Sequence, residues 1–401
     1  MKILVINTGS SSIKYVLYEM ANNNVLANGS IERIGENRSN YKYSISSKDF
    51  EKEFKKSLTI KDHKEGLRNI IEVITDPGNN LLKDPNEIEA IGHRVVHGGE
   101  FYSGAVLITE NVKSVIKRLI PLAPLHNPSN LEGIEVAEHF FPSAKQVAVF
   151  DTAFHQTMPS KSYRYPIPNY LYENEQVRAY GMHGSSHSFV TKEALKLLDK
   201  EEKDTAIITI HLGNGCSMSA VKGGKCIDTS MGLSPLAGLM MGTRSGDIDP
   251  SIPFFLGTKM GMSFQEIDTL LNKESGLKGI AGSNDMRDVL EKRDIGDKKA
   301  SLAIDMYVQR IKKYIGAYIA EMNALDALVF TAGIGENSSV IRELVCSELN
   351  FLGIEIDSSL NEMKIKSNHK INSNESKVQV WVIPTNEELE IALQTKKLIG
   401  N

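Results

Sequence analysis

An α/β fold built as two domains is predicted by three observations: chain length, alternation of strand-length apolar runs with helical periodicity, and an internal echo of one strand–turn pattern. At 401 residues the chain exceeds one ordinary core, because domains usually hold roughly 100–200 residues. Runs rich in Val and Ile recur at 3–6, 13–17, 88–96, 147–150, 206–210, 327–330 and 378–383, each of strand length and bounded by turn residues. Helical periodicity lies between them. The longest instance is expected over Ser301–Leu325, where Ile304, Val308, Ile311, Ile315, Tyr318 and Met322 form one apolar stripe. The charge-rich "SKDFEKEFKKSLTIKDHKEG" reads as a solvated face.

The echo links two of these runs. "ILVINTGSSSIK" lies over "ITIHLGNGCSMS" with Gly9 on Gly213, Asn7 on His211 and Ser10 on Asn214. Both read as buried strand, polar residue, glycine turn, second strand. A third glycine turn, "VFTAGIGENSSVIRELV", runs from strand into helix, with Asn337 or Ser338 as the expected N-cap. Related halves facing one another would set these turns on either side of a cleft.

Bulk composition removes several function classes. With 41% hydrophobic and 24% charged residues the chain matches a globular protein and has no apolar run long enough to span a bilayer. The apolar run 3–6 is shorter than the roughly 7–15 residues of a signal-peptide core, so the cytoplasm is the expected compartment. Net charge of −4 supplies no basic field for nucleic acid or anionic lipid. Cys216, Cys226 and Cys346 make neither a CxxC pair nor an even disulfide framework, and are expected to be inert thiols.

The turn "GSSSIK" is not a P-loop, which requires a second glycine directly before the lysine and a helix after it. Lys14 instead sits inside a strand, where Ser10, Ser12 and Lys14 would share one face and Ile13, Tyr15 and Leu17 the other. Two hydroxyls and an ammonium beside a glycine turn suit a polyphosphate; the alternative is an amphipathic hairpin with a wet polar side. "HLGNG" and "GIGEN" add glycine turns that let backbone approach a ligand closely. The GxGxxG fingerprint of a dehydrogenase is not found.

Phosphoryl transfer is catalysed by positioning and by cations placed where charge spreads onto the transferring oxygens. Arg94 in "GHRVVHGGE" and Arg244 in "MMGTRSGDIDP" are the candidates, because a planar fork grips phosphate or carboxylate bidentately. The alternative is an ion pair with Glu100 or Asp247. His93/His97 and His183/His187 have the i, i+4 spacing of a zinc pair, yet neither pair carries the HExxH glutamate. His183 is read as a donor to a phosphoryl oxygen, and His187 as a structural residue ahead of a helix at Ser188–Leu198. Asp151 ends the buried strand of "VFDTAFHQTMP", where an α/β sheet presents its active site, unless it is a turn or N-cap aspartate. In "PTNEELEIA", Thr385 and Glu388 are expected to form a capping box, leaving Glu387 as a Mg²⁺ ligand.

Taken together, "NTGSSSIK", "GHRVVHGGE", "VFDTAFHQTMP", "YGMHGSSH", "HLGNGCS", "MMGTRSGDIDP", "FTAGIGENS" and "PTNEELEIA" resemble the acetate kinase family over the whole chain. The resemblance implies two actin-like (ribonuclease H-like) domains with mixed five-stranded sheets flanked by helices and a cleft between them. These would be residues 1–150 with a C-terminal helix 385–401, and a nucleotide-binding domain 151–384. It implies reversible transfer from ATP to acetate, giving acetyl phosphate and ADP, by a homodimer using Mg²⁺ or Mn²⁺, with no nucleic acid or membrane as partner. Asn7 and Glu387 are then metal positions; Arg94 binds acetate; Asp151 is the essential acid; His183 and Arg244 stabilise the transition state. Lys14, with Ser10 and Ser12, contacts nucleotide phosphate. ATP is held by His211, Leu212, Gly213, Asn214 and Gly215, by Asp285, Met286 and Arg287, and by Gly333, Ile334, Gly335, Glu336 and Asn337. Val96, Leu125, Met182 and Pro235 line the acyl pocket, in which Met182 departs from the family's frequent Phe. A propionate or other short-chain acyl kinase is the nearest alternative, and a non-metabolic actin-like ATPase the alternative from another class.

Overall fold

Strand β1 (Lys2–Gly9) turns through Ser10 and Ser11 into β2 (Ser12–Glu19) as an antiparallel hairpin, and the rest of the first unit grows from it. The structure, a computed structural model, describes residues 1–46, 51–124 and 126–400. The chain separates into two units, Met1–Gln156 with Asn386–Asn401, and Thr157–Thr385. Residues 151–156 therefore belong to the first unit, which takes Asp151 out of the second, where the expected boundary had put it.

The first unit adds β3 (Asn24–Glu32), β4 (Ser39–Ser46), β5 (Glu51–Leu58), β6 (Ile88–Val95), β7 (Val106–Leu107) and β8 (Lys145–Phe150). The sheet order is β5-β4-β3-β2-β1-β6-β8-β7, with β1, β6 and β8 parallel and the other neighbours antiparallel. The order β3-β2-β1-β6-β8 is the mixed five-stranded core of an actin-like domain; β4, β5 and β7 extend the expected five strands to eight. Period-two alternation decides what each face packs against. Leu4, Ile6, Ile13, Tyr15 and Leu17 meet Leu67, Ile70 and Ile74 of the helix His63–Thr75. Ile3, Val5, Val147 and Val149 meet Ile391 and Ala392 of the terminal helix Glu387–Ile399. That helix lies so close that a methyl group on Gly92 would stand 2.7 Å from Thr395 Oγ1. The described part of the charge-rich stretch forms the edge strand β5 and the start of the helix His63–Thr75; residues 47–50 lie outside the described residues.

The second unit contains β9 (Ala206–Leu212), β10 (Cys216–Lys222), β11 (Lys225–Thr229), β12 (Ala327–Thr331), β13 (His369–Lys370) and β14 (Gln379–Val382). Its order is β11-β10-β9-β12-β14-β13, again a mixed five-strand core with β9, β12 and β14 parallel, plus one added strand. The predicted long helix spans Lys298–Met322, one turn earlier than Ser301–Leu325, because Asp297 caps its start and Asn323 closes it in the left-handed conformation. Its six predicted stripe residues are all buried. Burial pushes the thiol of Cys216 up to about 11 and that of Cys346 up to about 12, so neither is a thiolate at neutral pH.

The echo is real through the first strand and the turn, then slips by one. Gly9 pairs with Ser12 across a two-residue turn, whereas Leu212 pairs with Cys216 across three residues. Asn7 consequently faces Lys14, but His211 faces Ser217 and not Met218, which a gapless overlay places opposite it. One extra residue turns every following side chain to the other face.

Candidate active site

In the first unit the parallel pairing of Val95 with Phe150 brings two strand ends together. Arg94 lies at the end of β6 and Asp151 directly follows β8. Asp151 accepts from Arg94 Nε at 3.0 Å and from Nη2 at 2.5 Å, while Arg94 Nη1 donates to Asn7 Oδ1 at 3.3 Å. The carboxylate is 1% exposed and the guanidinium 20%. Neither Glu100 nor Asp247 is its partner; the ion pair is made inside the site.

Charge concentrates around this pair. Burial acts to lower the Arg94 pKa, but the carboxylates of Asp151 and Glu387 outweigh it and raise the value. Burial pushes the carboxyl of Glu387 up to about 7, reinforced by Asp151 and Glu388 and opposed by Arg94 and Lys14. Glu387 reaches this position for a different reason than the sequence indicated. The helix Glu387–Ile399 is capped by Asn386, whose side chain accepts from Leu389 N at 2.9 Å, so the Thr385–Glu388 capping box does not form. Thr385 is held elsewhere: its hydroxyl meets Ser186 Oγ at 2.8 Å and its N–H donates to Glu336 Oε1 at 3.0 Å.

Lys14 is exposed on β2, while Ile13, Tyr15 and Leu17 are buried on the opposite face as expected. Ser12 opens the strand, but Ser10 sits in the turn and does not share the lysine's strand face. His93 Nε2 bonds Gln146 Oε1 at 2.7 Å, and burial lowers its pKa to about 4. Gly99 N donates to His97 Nδ1 at 3.1 Å, so these two histidines face separate partners. Val96 is buried in the first unit; Leu125 lies outside the described residues.

The second unit assembles a histidine cluster. The helix carrying "HGSSH" spans Gly184–Leu197, starting earlier than Ser188, and His183 precedes it in the left-handed conformation at φ +58. Such a backbone is uncommon for a residue with a Cβ and tends to be kept at functional sites. His183 Nδ1 lies 2.8 Å from Ser217 Oγ, and its ring stacks on His211 at 4.2 Å. His187 is fully buried and bridges Thr209 Oγ1 at 2.7 Å and the same Ser217 Oγ at 2.7 Å. His211 Nδ1 lies 2.8 Å from Ser186 Oγ. A serine has one proton to give, so Ser217 cannot donate to both rings and the two tautomers are linked.

Arg244 borders this cluster. A methyl group on Gly215 would stand 3.4 Å from Arg244 Nη1 and 3.5 Å from His183 Nε2, so the glycine opens a space lined by both groups. Arg244 Nη1 donates to the Pro235 carbonyl at 3.3 Å, and burial lowers its pKa. Among the described residues it pairs with no carboxylate; Asp247 instead accepts from Gly238 N and Tyr314 Oη, each at 2.7 Å. Met182 is buried in this unit beside His183 in sequence.

Three of the predicted nucleotide runs converge on one cavity of about 530 Å³, walled by Gly213, Asn214, Asp285, Arg287, Gly333 and Asn337, with Met286 and Ile334. His211, Leu212, Gly215, Gly335 and Glu336 are not on its wall; Glu336 spends Oε1 on the N–H groups of Ala332 and Thr385. Asp285 caps the helix Met286–Asp294, and Ser338, one of the two expected residues, caps Ser339–Cys346. Sequence reasoning did not assign Asn284, Leu290 and Ser338 to the wall, nor Ser217, Thr209 and Ser186 to the histidine cluster. Ser186 belongs to the stretch "YGMHGSSH" and Ser217 to "HLGNGCS", but only the one-residue slip sets Ser217 opposite His211.

The described residues contain no helix long and apolar enough to cross a membrane. A family model described as the acetokinase family matches residues 2–393. The chain is 53% identical over 393 residues to an acetate kinase of Oleidesulfovibrio alaskensis, covering 98% of both chains. Its fold is similar to a crystal structure of Porphyromonas gingivalis acetate kinase, with a TM-score of 0.93, 44% identity and 99% of both chains covered. It is also similar to a propionate kinase of Francisella tularensis, with a TM-score of 0.91, 45% identity and 98% of both chains covered. The chain belongs to the acetokinase family, phosphotransferases with a carboxyl group as acceptor.

Proposed function

We propose that this protein transfers the γ-phosphoryl group of ATP reversibly to acetate, giving acetyl phosphate and ADP by direct in-line attack. The observation that carries the reading is the Arg94 guanidinium, clamped by the buried Asp151 carboxylate and still partly exposed. Acetate is ionised at neutral pH and needs no general base. Its attack is opposed by the charge of the γ-phosphate, so the protein's task is neutralisation. Arg94 holds the carboxylate, with Asp151 orienting the arginine and moving no proton. Arg244 Nη1 and His183 Nε2 donate to the transferring oxygens, and the 530 Å³ cavity takes the nucleoside.

Glu387 and Asn7 would hold Mg²⁺. Their chemistry fits: a half-buried carboxyl raised to about 7 favours a cation beside it, and Mg²⁺ commonly takes one or two protein oxygens and keeps its waters. When bound, the ion neutralises phosphate charge in the transition state.

Propionate is the second reading, favoured by Met182, whose flexible thioether can change pocket size, and by the similarity to a propionate kinase. One methylene is worth roughly 1–3 kcal/mol of discrimination. Trapping the acyl phosphate with hydroxylamine, with and without Mg²⁺, for acetate, propionate and butyrate is the test. The highest kcat/KM is expected for acetate; a higher value for propionate would reassign the substrate. The proposed setting is a cytoplasmic homodimer, supported by the exposed apolar side chains of Phe254, Phe255 and Met260 on the helix Ser251–Met260.

A further inference from the structure

The hydrogen bond between Arg94 and Asn7 is the inner end of a polar row that crosses the first sheet. Asn7 pairs with Lys14, Lys14 with Ser30, Ser30 with Lys42, and Lys42 with Lys55. Directly paired residues point to the same face, so Lys14, Ser30, Lys42 and Lys55 stand side by side on four adjacent strands. The next row holds Val16, Asn28, Ser44 and Glu53.

This face is left open. The helix Glu387–Ile399 packs on the same side of the sheet through Ile391 and Ala392, in a cluster that reaches Val16 and Tyr18 of β2 and Val25 of β3 but leaves Lys14, Lys42 and Lys55 exposed. Asn28, Lys42 and Lys55 are exposed. The result is a groove of about 450 Å³, walled by the three lysines together with Asn28, Ser30 and Ser44. Glu53 and Glu388 also line the groove, so its cationic character is confined to the lysine row.

Lys42 directly opposite Lys55 is unfavourable by itself, since like charges in a cross-strand pair repel. Among the described residues neither lysine has a hydrogen-bond or ion-pair partner. Strands lie about 4.8 Å apart, which places Lys55 and Lys42 about 5 Å apart and Lys14 about 10 Å beyond Lys42. Two adjacent ammoniums, a hydroxyl and a third ammonium in line match a chain of phosphates, to which lysine binds as a point charge.

We propose that the open face of β2–β5 is a binding site for an oligophosphate anion, seated on Lys42 and Lys55 and extending past Ser30 toward Lys14. Its wall shares no residue with the 530 Å³ cavity proposed for the nucleoside, it meets the expected nucleotide-phosphate contact only at Lys14, and it does not depend on which acyl group the enzyme phosphorylates. The site needs no movement of the backbone, because the register alone assembles it.

Calorimetric titration of the full-length protein with inorganic tripolyphosphate tests the proposal. Binding common to wild type and variant belongs to the nucleotide site, so the difference reads the row. In Lys42→Gln/Lys55→Gln the row's binding is expected to weaken about tenfold or more, since two charge-assisted contacts are lost, with acyl-phosphate turnover unchanged. Unchanged affinity and stoichiometry in that variant, or no binding to wild type, would overturn the proposal. A second readout is thermal: without anion, Lys55→Gln should melt at or above the wild-type temperature, and tripolyphosphate should raise the wild-type melt more than the variant's. A lower anion-free melt for Lys55→Gln would show that the lysine pair is not strained, and would remove the argument for an occupant.

Discussion

Arg94 and Asp151 sit at the ends of neighbouring parallel strands and are joined through two guanidinium nitrogens, with Nη2 only 2.5 Å from Oδ2. Because the carboxylate is buried, the pair fixes the arginine's plane while leaving Nη1 turned toward Asn7. Removing the acid leaves a largely buried guanidinium without its hydrogen-bonded counter-charge. Asp151→Ala is expected to cost about 3–5 kcal/mol of stability. Asp151→Asn should keep the fold, raise the KM for acetate and lower kcat at least tenfold, with nucleotide affinity unchanged. Near-normal turnover of the Asn variant would remove the orienting role.

Arg94→Ala and Arg244→Ala should each retain ATP binding and abolish transfer to acetate, because the cavity proposed for the nucleoside is walled by other residues. A loss on the order of 10²–10³-fold in kcat is expected for a preorganised donor to developing charge. Equilibrium nucleotide binding and hydroxamate formation measured on the same samples separate the two properties. An actin-like ATPase without an acyl acceptor would show no such division.

Gly215→Ala should leave the melting temperature near wild type, since a methyl there meets Arg244 Nη1 at 3.4 Å and His183 Nε2 at 3.5 Å, ordinary contact distances. It fills the space those two groups line. Turnover is expected to drop at least tenfold, and full activity would mean that no substrate atom passes that glycine.

Ser217→Ala cuts the hydroxyl shared by His183 and His187. The expected result is a changed tautomer balance of both rings in nitrogen-resolved NMR, together with a lower kcat and a nearly constant KM for ATP. Ser217→Thr, which restores the hydroxyl, should recover part of the loss.

Asp228 offers a pH test away from the site. Burial, with the adjacent Glu321, raises its carboxyl to about 7. Between its unfolded value of 3.8 and about 7 the folded protein binds the extra proton, so the contribution to stability is complete below that window and lost as pH rises through it. Asp228→Asn should flatten the decline and raise the melting temperature at pH 8 by about 3 °C or more. A melting profile identical to wild type from pH 4 to 8 would contradict the assignment.

Much of this molecule was legible in the linear sequence. Strand-length apolar runs, the 3–4 residue stripe from Ile304 to Met322 and the paired glycine turns are local patterns, and local patterns carry the elements they encode. The residues grouped around Asp285 and Gly333 were also legible, because each run brings its own turn or cap. What tertiary structure alone decided is which groups meet. The Thr385–Glu388 spacing satisfied the capping-box rule, yet Asn386 caps the helix because the Thr385 hydroxyl and N–H are spent on Ser186 and Glu336, residues far away in the chain. Asp151 became the partner of Arg94 through parallel strand register, and Ser217 replaced Met218 opposite His211 through one extra residue in a turn. The lysine row likewise exists only in the register of four strands. Sequence spacing sets the period of an element, whereas register and competing hydrogen bonds, which depend on residues far apart in the chain, choose the partner.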